Sequence, residues 1–139
     1  MAIAKQAFYE GAALHQLIRS NGVRSLQYDD PFFVLNGRVL AYLKYSTRVR
    51  SPWGFTFTAD EQILLNERAA ERKIAIGLIC AGDGIATVSY EDYLSIAAPR
   101  KSAIHVACYR KHWEHYEVSG PDGVVARKIA PSDWQRLLS

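Results

Sequence analysis

The chain has 139 residues, a length that suits one domain and allows a core without disulfide or metal staples. Hydrophobic residues make up 49% of it, which excludes a disordered chain, and no apolar stretch approaches the length of a membrane span. The net charge of +3 and pI near 8.9 admit an anionic partner without identifying one.

The N-terminal stretch MAIAKQAFYE lacks the apolar core of a secretory signal. Neither Cys80 nor Cys108 has a metal-ligand spacing, so both read as buried thiols of a reducing, cytoplasmic compartment. Residues 5–19 read as a helix with Ile3, Ala7, Leu14 and Ile18 on one face and Phe8 beside it. Ser20-Asn21-Gly22 supplies the stop. Asn36-Gly37 then separates the runs FFVL and RVLAYLKYS. Both turn residues must take positive φ, and the pair is the strongest short hairpin signal, so strands are expected at 32–35 and 38–46.

Ser51-Pro52-Trp53-Gly54 breaks the strand pattern. Thr58 and Glu61 have the spacing of a capping box, opening a helix that runs to about residue 72. KIAIGLIC is almost continuously apolar, as in a strand buried on both faces. Ala81-Gly82-Asp83-Gly84 turns the chain into a second strand, IATVSY, and Ser89 is placed to cap a short helix ending before Pro99. The C-terminal part, with AIHVACYRKHWEHYEV, the turn cluster SGPDG and VVARKIA, reads as an antiparallel hairpin and tail over about 102–139. The expected architecture is α/β (α+β): a single domain, 1–139, whose core over about 5–98 is a mixed central sheet flanked by helices.

The stretch YLKYSTRVRSPWGFTF, 42–57, carries the most pointed chemistry. Strand alternation puts Val39, Ala41, Leu43 and Tyr45 on one face, and Leu40, Tyr42, Lys44 and Ser46 on the other, which Arg48 and Arg50 continue. Between Pro31 and Ala59 there is no acid, whereas Arg38, Lys44, Arg48 and Arg50 are all present. Arginine offers phosphate a planar donor fork, and Tyr42, Tyr45 and Trp53 offer rings for bases. A solvated strand end above a filled core is the plainer reading of the same residues. A two-residue turn at Asn36-Gly37 sets Leu35 opposite Arg38 and, by extension, Asp29 opposite Lys44 on one sheet face. Should Pro31 interrupt the ladder, Asp30 is as good a candidate as Asp29.

An N-terminal helix, a hairpin with an acid before it and a lysine late in its second strand, then a helix and a buried strand follow one another over about 5–80. This order resembles the PD-(D/E)xK nuclease superfamily, the restriction-endonuclease-like fold. The resemblance implies Asp29 or Asp30 as the first acid, Lys44 as the lysine that positions or activates water, and Glu10 as the helix glutamate. Asp30-Pro31 reverses the usual Pro-Asp order, and the family's second acid falls on Tyr42, a phenol. An active member would hold Mg²⁺ or Mn²⁺ with Asp29 or Asp30 and Glu10, since such cations want oxygen anions.

The expectation is a nucleic-acid-binding protein with an eroded catalytic site, a component of a DNA-processing or defence system. DNA or RNA would meet Arg38, Arg48, Arg50, Tyr42 and Trp53. One alternative is an active metal-dependent nuclease. Another is a protein-interaction subunit, or a homo-oligomer, that uses the aromatic C-terminal hairpin through Trp113 or Tyr116. His112 and His115 form an H-x-x-H near His105, Glu114 and Glu117, but residues three apart on a strand point to opposite faces. Gly82-Asp83-Gly84 lacks the lysine of a phosphate loop and reads as a turn.

Overall fold

Residues 2–138 are described by the structure, a computed structural model. Helix α1, Lys5–Arg19, buries Ala13 and Leu17, with Tyr9 and Leu14 partly buried beside them. The expected stripe was misplaced: Ile3, Phe8 and Ile18 are exposed. Apolar residues lie on more than one side of this helix, and the sheet beneath it selects which side is covered.

Strands β1, Leu26–Asp29, β2, Phe32–Leu35, and β3, Val39–Ser46, form an antiparallel meander. β1 was not expected, because LQYD carries little apolar signal of its own. Asn36 and Gly37 take φ of 56° and 66°, as the turn requires. Arg38, however, is an extra residue before pairing begins, so Leu35 pairs with Val39 and Val34 with Leu40. A one-residue slip exchanges the faces. The expected opposition of Asp29 and Lys44 is therefore corrected: Asp29 pairs with Phe32 across the β1–β2 turn. The Asn36 side chain also ties down the approach to β1, accepting from Arg24 N at 2.7 Å and donating to Gly22 O at 2.7 Å.

The chain continues through β4, Trp53–Phe57, and α2, Ala59–Ala69, to β5, Lys73–Cys80, which lies parallel to β3 along its whole length. β6, Gly84–Ser89, returns antiparallel and leads into α3, Tyr90–Ile96, capped by Ser89 as expected. The first sheet has the order β1-β2-β3-β5-β6. β7, Ile104–Tyr109, β8, Glu117–Gly120, and β9, Gly123–Val124, join β4 in a second, antiparallel sheet of order β4-β7-β8-β9. The C-terminal part is thus not an appended hairpin. Residues 110–115 form a loop instead of strand, Tyr116 makes an isolated antiparallel bridge to Ile129, and a 3₁₀ turn, Gln135–Leu137, ends the tail. The fold is α+β, with three α-helices and two sheets among the described residues. No helix among them is long and apolar enough to cross a membrane.

Both faces of β3 and β5 are covered. Leu40, Tyr42, Ile74, Ile76 and Leu78 pack toward Trp53, Phe55 and Phe57 of β4. Val39, Ala41, Leu43, Ala75 and Ile79 pack toward α1 and Trp134. Gly77 lies under that indole: a Cβ there would stand 2.6 Å from Trp134 Cη2 and 2.9 Å from Leu43 Cδ2.

Candidate functional site

The even face of β3 runs out of the core at Lys44. There it meets the first turn of α2, whose start is dictated by the Thr58/Glu61 capping box. Glu61 is the third helical residue, so its side chain reaches back to Thr58 N at 3.1 Å. The same carboxylate accepts from Lys44 Nζ at 2.9 Å (Oε1) and 2.7 Å (Oε2), and from the Tyr42 hydroxyl. Lys44 Nζ also stands 4.9 Å from the Phe57 ring centroid.

These contacts set the electrostatics. Burial works against the Glu61 charge, but the bonds from Lys44, Tyr42 and Thr58 outweigh it and hold the carboxyl below its usual value. Burial, then the bond to Glu61, drives the Tyr42 phenol far above its ordinary value, so it remains a neutral donor. Glu10 of α1 lines the same cleft, about 460 Å³ in volume, together with Tyr42, Lys44 and Glu61. Sequence reasoning took Glu61 only as a cap. No local signal marks its second role, because the meeting with Lys44 depends on where α2 crosses β3.

The two expected acids are elsewhere. Asp29 pairs with Arg68 of α2 at 2.6 Å, and Asp30 accepts from Tyr28 Oη at 2.8 Å. Neither lines the Glu10–Lys44 cleft. Among the described residues no group of three or more His, Cys, Asp and Glu side chains is arranged to hold a metal ion. The ring of His112 instead packs against Trp113, 4.4 Å between centroids.

The expected base-stacking rings are occupied as well. Trp53 and Tyr42 are buried, and Tyr45 stacks on Tyr9 at 5.3 Å. Trp53 serves the basic segment from inside, donating its indole N–H to Arg48 O at 2.8 Å. Arg38 leaves the patch altogether: it lies at the opposite end of β3 and donates to Leu138 O at 3.0 Å. Tyr116, proposed as an interface residue, is fully buried.

Arg48 and Arg50 remain exposed, and the fold gives them new neighbours. Trp53 pairs with Cys108, so the segment before β4 and the segment after β7 emerge side by side. Ser51 Oγ donates to Arg110 O at 3.2 Å, and Ala81 N to Ser46 O at 3.0 Å. The result is a cleft of about 500 Å³ at the carboxyl ends of the parallel strands β3 and β5, lined by Arg50, Asp83, Arg110, Lys111, His112 and Trp113. Asp83 braces it. Its Oδ2 accepts from Arg110 Nη1 at 2.9 Å and from Tyr116 Oη at 2.5 Å, and Arg110 Nε donates to Glu114 O at 2.7 Å. Arg110 is thereby neutralised, while Arg50 and Lys111 have no ion pair among the described residues. The turn reading of Asp83-Gly84 was right in form and silent about this bracing.

Comparison with family models, curated proteins and solved structures finds no match to this chain.

Proposed function

We propose that this chain is a nucleic-acid-binding protein built on a restriction-endonuclease-like core whose catalytic position has become a structural ion pair. The order α1, antiparallel β1-β2-β3, α2 and a β5 parallel to β3 supports the core assignment. The observation that carries the binding reading is the cleft that gathers Arg50 and Lys111, two cations without an ion pair among the described residues, beside the exposed ring of Trp113. Phosphate supplies the matching charge, and a base supplies the matching ring.

The residues around Lys44 support the eroded reading of the site. Glu61 is the carboxylate in contact with that lysine, and its two oxygens already accept four hydrogen bonds, from Lys44 twice, Tyr42 and Thr58. Asp29, the first expected acid, is committed to Arg68. Lys44 itself balances the charge that a cation would balance in a working site.

Binding to labelled duplex and single-stranded DNA at low salt tests the reading. Affinity should fall steeply as salt rises and weaken in an Arg48→Ala/Arg50→Ala double variant. Absence of binding to either form at low salt would overturn it.

A further inference from the structure

We infer that the cleft between the 48–53 and 110–113 segments takes an unpaired nucleotide, with its base stacked on Trp113 and the flanking phosphates held by Arg50 and Lys111. The inference rests on the nucleic-acid reading above and adds a substrate class to it.

Trp113 is 84% exposed, while Trp53 and Trp134 are buried, so the chain displays one indole among its described residues. The display is not slack. Trp113 sits at φ 66°, a conformation a bulky residue adopts only when its surroundings impose it. Those surroundings are on hand: Arg110 is clamped by Asp83 and by Glu114 O, Glu114 N donates to Lys111 O at 3.0 Å, and Lys128 pairs with Glu114 at 3.1 Å. The loop thus holds a large apolar face in water, and Arg50 and Lys111, which have no ion pair among the described residues, line the same cleft. A duplex offers phosphates but encloses its base faces, and it would leave the indole unused. A single strand offers both, and stacking on an aromatic ring discriminates little between bases.

An oligothymidylate, whose bases stack poorly on one another, is the probe, with a blunt-ended duplex beside it. All three tryptophans emit, so the part of the quenching that Trp113→Ala abolishes reports Trp113. The oligothymidylate should quench the intrinsic fluorescence and bind more tightly than the duplex. Trp113→Ala should weaken oligothymidylate binding by about tenfold and duplex binding by clearly less. Arg50→Ala/Lys111→Ala should weaken both. Equal losses on both probes in Trp113→Ala, or binding without quenching, would overturn stacking while leaving nucleic-acid binding in place. No binding of either probe at low salt would remove both readings. Poly-glutamate that quenches and competes as well as the oligothymidylate would reassign the cleft to acidic polypeptides.

Discussion

Lys44 Nζ lies 2.7 Å from Glu61 Oε2, a bond that ties the late part of β3 to the first turn of α2. Both side chains are largely removed from water. Pairs of this kind are costly to break from one side, because the partner stays desolvated and charged.

A double-mutant cycle tests that tie. Lys44→Met and Glu61→Gln should each lower unfolding free energy by about 1–3 kcal/mol, and the double variant should lose less than the sum, with a coupling of about 1–2 kcal/mol. Urea denaturation of the four proteins measures it. Strict additivity would mean that the two groups do not support each other.

The pair also predicts a pH dependence. Glu61 is held below its usual value of 4.5 in the folded chain, so its stabilisation is fully present above the unfolded value and is lost as pH falls through the lower folded value. Stability should therefore drop on acidification below about pH 4.5, and less steeply in Glu61→Gln. Identical acid limbs for the two proteins would contradict the linkage.

Gly77 should tolerate no side chain. A methyl there meets Trp134 at 2.6 Å and Leu43 at 2.9 Å, in a region sealed on both sides. Gly77→Ala is expected to destabilise by about 1–3 kcal/mol, and Trp134→Leu should relieve part of that loss when combined with it. Melting of the single and double variants is sufficient to check both statements.

Asp83 should behave as the brace of the 110–115 loop. Removing its carboxylate in Asp83→Ala leaves the Tyr116 hydroxyl and Arg110 without their acceptor, at about 1–3 kcal/mol. Hydrogen exchange should accelerate at amides 110–115 more than in α2. Unchanged exchange in the loop would show that the clamp does not order it.

Arg38 and Arg50 should separate in function although both lie in the basic stretch of sequence. Arg38 is tied to Leu138 O, away from the cleft, whereas Arg50 lines it. Arg50→Ala should reduce the salt slope of oligonucleotide binding by about one, and Arg38→Ala should leave it unchanged. Equal effects would disperse the binding surface over the whole strand.

Several elements were legible because their signals are local. The Thr58/Glu61 capping box, the Ser89 cap, the positive φ at Asn36 and Gly37, and the doubly buried KIAIGLIC strand all formed as expected. The register was not, because Arg38 adds one residue between the turn and the ladder, and nothing in the Asn-Gly signal announces such a bulge. That single residue carried the Asp29–Lys44 expectation with it. The stacking rings failed for a related reason: period-two phasing gives the face a tyrosine or tryptophan points to, but not whether a second sheet covers that face.

By itself, then, the sequence determined the local starts and stops, the division of β3 into two alternating faces, and the absence of an acid between Pro31 and Ala59. Tertiary structure alone decided that a carboxylate from α2, Glu61, would come to Lys44 from outside that stretch. It also decided that Arg50 would face Lys111 and Trp113, some sixty residues further along, because β4 pairs with β7. Caps and turns are written in a few adjacent residues, whereas these encounters depend on which strands pair and where a helix crosses, and the whole core settles that.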